Sequence, residues 1–476
     1  MPLTTPTSIF PLGGWTRGLN RQVFELQLQP DETPDCLNVK FGLRGEFETR
    51  DGWTRADTGV ETVAMRGWEY TPGSGSDRLI VVEEDGGVWG SANLTLAAET
   101  VELGAHSNRR QWPIEGVMLD DNFYLFSIRD NTWRFDGSTW LEITDSTLDE
   151  SGTQATPEAP LAATAASHHN RIFAGNVIAS GAAHRSRVQY SMTTADNSGD
   201  AGGNRWPALY WIDVDEDDGT EITKLLSHQS HLLVFKDHSI HVIGGEDPTS
   251  FTLYNVNADV GCSSPNSVAS NEGDVFFFDR FKGVFVFDGA SAQRIDGAIH
   301  DYLMGGMNLN KAWKACGFFS DSRYFLSVPW GSDTENTRTF VFDVRLGAWA
   351  EYDYGVYDHF WFNEAEYTVG NAITAGSNVG VYKHEQGDAT DVAAAITWYL
   401  ETIWFPPAQQ QGMTRYRMRK TDLWVEADSG TFTVDMYVDG SEVAVWTHAI
   451  TASTNRIQLP GYGALWETIK YKIRST

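Results

Sequence analysis

The sequence has no cysteine framework. Its three cysteines, Cys36, Cys262 and Cys316, are odd in number and far apart, and no CxxC spacing occurs. Neither a zinc site nor a set of disulfides is therefore indicated. Buried, reduced thiols are expected, in a chain that folds in a reducing cytoplasm. Positive charge is scarce as well: 35 Lys and Arg stand against 64 Asp and Glu, a formal net charge of −29. That balance argues against a protein that wraps nucleic acid through a basic surface. It suits first a soluble or salt-adapted surface, and is compatible with a channel wall along which DNA slides without sticking. No stretch approaches the roughly 18 apolar residues of a membrane span, so no membrane insertion is expected. The opening residues MPLTTPTSIFPLGGWTRG lack the basic-then-apolar order of a signal peptide. Helical periodicity is nearly missing: only residues 293–315, broken at Gly305 and Gly306, read as a helix or two. No GxSxG elbow, P-loop or HExxH helix is present, which disfavours an enzyme and implies no cofactor.

What is present in quantity is glycine and aromatic side chains: 45 Gly, 18 Trp and an aromatic fraction of 13%. Tight turns and pleated, aromatic-covered faces use these residues. Short apolar runs bounded by Gly, Asp and Asn recur along the chain, as in residues 77–90 (DRLIVVEEDGGVWG), 122–140, 231–245 and 274–291. The run VFFF and its partner VFVF, around Asp279–Gly283, predict a hairpin of inner strands covered on both faces. Taking Val88, Trp133, Val188, His241, Phe285, Phe340 and Val381 as equivalent gives six intervals over 293 positions, a mean of about 49 residues. That period marks propeller blades, although the intervals are too uneven for a strict WD40 or kelch array. The fold class expected is all-β: a β-propeller of about six or seven degenerate blades over residues 61–388. An N-terminal lead-in segment (1–60) precedes it, and a C-terminal β-sandwich-like domain (389–476) follows. In that last domain Asp439-Gly440 is the strongest short-range turn signal of the chain.

Candidate chemistry is sparse. The acidic run of residues 213–219 (DVDEDDG) departs from an EF-hand loop, with Gly seventh and Lys224 in the twelfth place, so a solvated turn is favoured over a metal site. His168, His169, His228, His231, His238 and His241 cluster in sequence without a metal-ligand pattern and read as strand-surface or turn histidines. The approach to a sialidase-type Asp box, Ser127 to Trp133, occurs once and lacks its Gly. Basic residues concentrate only in RYRMRK (415–420), where strand alternation places Arg415, Arg417 and Arg419 on one face. These three are the candidate partner-docking residues; a merely solvated face is the alternative.

The segments GGWTRGLN (13–20), LQLQPDETPDCLNVKF (26–41) and GEFETRDGWT (45–54) follow one another in a distinctive order. That order resembles tail and neck proteins of tailed bacteriophages, most of all the packaged-DNA stabilisation, or tail nozzle, family of short-tailed phages. Residues 231–245, the strand FVFD (340–343) and the closing LPGYGALWETIKYKIRS resemble the family in order too. The resemblance implies a structural virion protein of the tail, folded in the host bacterial cytoplasm. It implies a homo-oligomer, a hexameric ring below portal and adaptor ring proteins, carrying spikes or fibres, with double-stranded DNA passing the lumen without sequence-specific binding. It implies no catalytic residues. The competing classes are a carbohydrate-binding or glycan-cleaving propeller and another phage neck or minor tail component.

Overall fold

The computed structural model describes residues 14–57, 63–94, 99–103, 113–143, 158–195, 202–257, 259–271, 273–371, 380–385, 390–391, 394–405, 421–423, 431–451, 457–459 and 466–475. Alternation along its apolar runs explains the architecture. In the strand His231–Lys236, Leu232 and Val234 pack into one hydrophobic cluster while Leu233 and Phe235 pack into the next. In Asp274–Asp279, Val275 and Phe277 join that second cluster, whereas Phe276 and Phe278 turn to a third. Successive residues of a strand point to opposite faces, so a run that is apolar throughout has to be sandwiched between two other sheets. Such strands repeat around the chain, and each cluster is the seam between two neighbouring sheets.

Seven sheets are built this way, antiparallel meanders whose strands follow in chain order, except for the fourth strand of the seventh. Their first strands are Ala64–Tyr70, Ile114–Leu119, Leu161–His168, Ile222–His228, Ala269–Asn271, Cys316–Ser320 and Gly355–Phe362, which define blades one to seven. The molecule is a seven-bladed β-propeller. All seven equivalent positions taken from the sequence, from Val88 to Val381, fall on the third strand of successive blades. Blades seven and one meet in a seam of Ala64, Leu79, Val81, Trp89, Phe360, Phe362, Tyr367 and Val369. At that seam the backbone of Gly67 lies so close to the Phe360 ring that a Cβ would overlap it at 2.2 Å.

The lead-in segment does more than precede the first blade. Gly18–Leu19 and Glu32–Thr33 extend blade six as parallel strands beyond its outer strand Ala348–Tyr352. Cys36–Leu37 then pairs with Tyr399–Glu401 as the edge of a different sheet. Finally Thr54–Arg55 pairs with Val381–Lys383 and supplies the fourth strand of blade seven, so the last blade is completed by the start of the chain. Arg50, buried between these attachments, gives its guanidinium to both oxygens of Asp391 (2.8 and 2.5 Å) and its Nε to Asn38 (2.9 Å). Asn38 in turn donates to Asp353 and to the Thr397 carbonyl, both at 2.7 Å.

The second sheet is antiparallel and five-stranded, in the order Cys36–Leu37, Tyr399–Glu401, Ile469–Ser475, Thr431–Val438, Trp446–Thr451. Val434, Met436, Ile469, Tyr471 and Ile473 build its own core together with Leu28 from the lead-in segment. Asp439 and Gly440 both have positive φ, 51° and 74°, and turn the chain as their sequence predicts. The expected helical stretch contains an α-helix, His300–Gly306, and a 3-10 turn, Leu309–Lys314. Among the described residues, no helix is long and apolar enough to cross a membrane.

Candidate functional site

The first strands of a propeller surround its axis, and here one mouth of that axis opens into a cavity of about 430 Å³. All seven blades or their connections contribute to its wall, among them Met65, Ala163, Thr223, Trp313 and Tyr357. Four strand pairings shift register at the cavity, between Ala64 and Arg66, Gly175 and Val177, Ile222 and Lys224, and Val356 and Asp358. The residue left over in each case, Met65, Asn176, Thr223 or Tyr357, lines the cavity. A bulge re-aims one side chain out of the pleat, and here four blades aim theirs at one place. Asn176 takes the left-handed conformation to do so, with φ of 53°.

Below the mouth the axis is crossed by charge pairs. Arg66 of blade one reaches Asp358 of blade seven (Nε–Oδ2, 3.3 Å) and Glu115 of blade two (Nη2–Oε1, 3.5 Å), and donates to Asn266 of the loop before blade five. Glu115 also binds Lys224 of blade four. Burial opposes the charge of Arg66, but Asp358 and Glu115 outweigh it and hold the guanidinium protonated. Five blades or their connections are thereby tied across the axis.

At the rim the picture differs. Asp237 and Arg280 come from the hairpins between the second and third strands of blades four and five. Among the described residues the Asp237 carboxylate has no hydrogen-bond donor and no ion pair, and burial pushes its pKa above the ordinary value, against the pull of Arg280. Arg280 Nε is buried without an acceptor. Beside them Phe281 is 59% exposed, with its ring 5.7 Å from that of His238.

The residues singled out by sequence lie elsewhere. Arg415, Arg417 and Arg419 fall outside the described residues. The acidic run surrounds Lys236, which is fully buried and donates to Asp218 (2.7 Å) and to the carbonyls of Val214 and Asp215. Among the described residues no three His, Cys, Asp or Glu side chains are grouped to hold a metal ion. The histidines correct the expectation of surface positions: His168, His228 and His241 are buried, because their strands face a neighbouring blade and not solvent. His168 accepts or donates to Ser227 (2.9 Å), and burial, aided by His169 and His231, lowers its pKa to about 4. All three cysteines are buried free thiols. Sequence reasoning missed the axial mouth entirely, since bulges leave no signature in residue type.

No protein-family model matches the chain, and no curated protein does. Among solved structures it is similar to YCF48 from Cyanidioschyzon merolae, at 11% identity and a TM-score of 0.42, covering 70% of this chain and 99% of that one. It is also similar to YCF48 bound to D1 peptide (9% identity, TM-score 0.40, 73% and 98% covered). A third likeness is to the computationally designed Ika8 protein (9% identity, TM-score 0.38, 70% and 98% covered).

Proposed function

We propose that the chain is a structural virion protein, an oligomeric tail nozzle or hub seated below portal and adaptor rings that retains packaged DNA and guides its exit. One observation carries this reading: the residues on which the family resemblance rests are those that interlock the molecule. Gly18 has φ of +62° and a Cβ there would lie 2.6 Å from the Trp349 carbonyl oxygen, so the segment lies flush on blade six. Asn20 donates to Glu32 (2.9 Å), and Asn38 and Arg50 bind the connections on either side of blade seven. Trp53, 1% exposed, packs with its ring 4.4 Å from that of Tyr354. A wall around a channel has to resist opening at its weakest seam, and these residues close that seam.

In this reading the DNA path runs between copies, along acidic outer surfaces, because each propeller axis is itself crossed by Arg66, Glu115 and Lys224. Six copies form the ring, spikes or fibres attach outside it, and Arg415, Arg417 and Arg419 help the C-terminal domain to dock. The test is the mass of the assembled protein together with electron microscopy of the intact particle. A ring of about six copies in the tail supports the reading. A protein that stays monomeric and is missing from the tail refutes it.

A further inference from the structure

A wall function leaves the axial mouth without a task, yet the mouth is a built feature. Each bulge gives up regular ladder pairing, and four of them converge on one cavity of about 430 Å³. That volume lies in the range of small-ligand sites. The chemistry of the wall narrows the ligand. Its three cations, Arg66, Arg280 and Lys314, are matched by three anions, Glu221, Asp237 and Glu335. A ligand of one net charge therefore gains no net attraction from the wall.

Four of those six ions are already engaged: Arg66 with Asp358, Glu115 and Asn266, Lys314 with Glu335, and Glu221 as acceptor from Asn176. What is left, among the described residues, is the Asp237 carboxylate, without a donor, and the Arg280 guanidinium, whose terminal nitrogens make no hydrogen bond or ion pair. The two side chains feel each other's charge but form no ion pair within 4.0 Å. A hydroxyl placed between them satisfies both, donating to the carboxylate and accepting from the guanidinium. The half-buried rings of Trp313 and Tyr357 add apolar faces to the same wall. Hydroxyls projecting from the edge of a ring with apolar faces are the chemistry of a sugar.

We propose that the axial mouth binds a short neutral glycan of one or two hexose rings, hydroxyls held by Asp237 and Arg280 and one ring face on Trp313. The site is formed within one chain and does not depend on ring assembly. The full chain is titrated with glucose, galactose, mannose, N-acetylglucosamine and their 1,4-linked disaccharides, followed by saturation-transfer NMR and calorimetry. At least one sugar binds with a Kd of about 1 mM or tighter, and Asp237→Asn and Arg280→Gln each weaken it about tenfold. Trp313→Ala weakens it to a similar extent, whereas Trp361→Ala, an exposed aromatic outside the cavity wall, leaves it unchanged. Should Trp313→Ala fail to fold, the two polar variants carry the test. The proposal is overturned if no sugar of the panel binds, or if binding survives both polar substitutions. It is overturned equally if glycine or inorganic phosphate occupies the mouth and sugars do not compete.

Discussion

Arg50 offers the sharpest test of how the lead-in segment holds the molecule shut. Its side chain is fully buried, and Asp391, its bidentate partner, is 5% exposed. Burial works against the charge of Arg50, but hydrogen bonds with Asp391 and the charge of that carboxylate raise its pKa above the ordinary arginine value. Removing one partner of such a pair leaves the other charged and buried, which costs about 3–5 kcal/mol. Arg50→Met is therefore expected to lose about that much, and Arg50→Lys less, because one ammonium replaces a fork that serves Asp391 and Asn38 together. The double variant Arg50→Met with Asp391→Leu removes both charges, and is expected to recover most of the loss. Urea midpoints measure the three variants, and limited proteolysis after residue 385 reports whether the segment has lifted. The reasoning fails if Arg50→Met alone costs under about 1 kcal/mol, or if the double variant is no more stable than the single one.

Further outcomes follow from the same geometry. Trp53→Ala is expected to cost about 3–5 kcal/mol in chemical denaturation, since it empties a buried aromatic site beside Tyr354. Gly18→Ala is expected to cost about 1–3 kcal/mol and to lower the melting temperature, because its positive φ and the Trp349 carbonyl both reject a Cβ. His168 has a folded pKa of about 4 against about 6.5 unfolded, so between those values the unfolded chain binds more protons. Stability therefore falls as pH drops through that window, by at most about 1.4 kcal/mol per pH unit, and His168→Phe flattens this part of the profile in urea titrations from pH 7 to 4. Asp136 sits at a hairpin tip and accepts from the backbone N–H groups of Ser138 (2.9 Å) and Thr139 (2.8 Å). Its slight burial favours the neutral acid, but those two hydrogen bonds prevail and lower its pKa. The support is present above the ordinary carboxylate pKa and lost as pH falls below it; Asp136→Ala is expected to cost about 1 kcal/mol at pH 7 and nothing in strong acid.

The central hairpin of each blade was legible in sequence because its strands are covered on both faces. Continuous runs such as DVFFFD announce that environment directly. The first and fourth strands were not legible, for two separate reasons. First strands such as Ile222–His228 (ITKLLSH) turn one face to the polar axis and include a bulge, which blurs their alternation. Several fourth strands are short and partly exposed, as Ala292–Arg294 is, and that of blade seven is only Thr54–Arg55, contributed from far away in sequence. Turn chemistry hid the rest. The two-residue turns His169-Asn170, Asp321-Ser322 and Asn363-Glu364 have positive φ at both positions without a glycine. The rim pair Asp237 and Arg280 stands in two hairpins of different blades, so only the packing of blade four on blade five makes them neighbours.

The pairing of Thr54 with Lys383 also sets a timetable for the chain's birth. The first partner leaves the ribosome 329 residues before the second. At synthesis rates of up to roughly 20 residues per second, the early strand waits about 15 s or more before its partner exists. Through that interval six blades can stack, while the edges of blades one and six stand bare and Arg50 lacks its bidentate partner Asp391. A nascent chain of this design is exposed to proteases and to mispairing with its neighbours on the same message until the last blade emerges. A rearranged chain in which residues 14–57 follow residue 385 would bring the two strands off the ribosome nearly together.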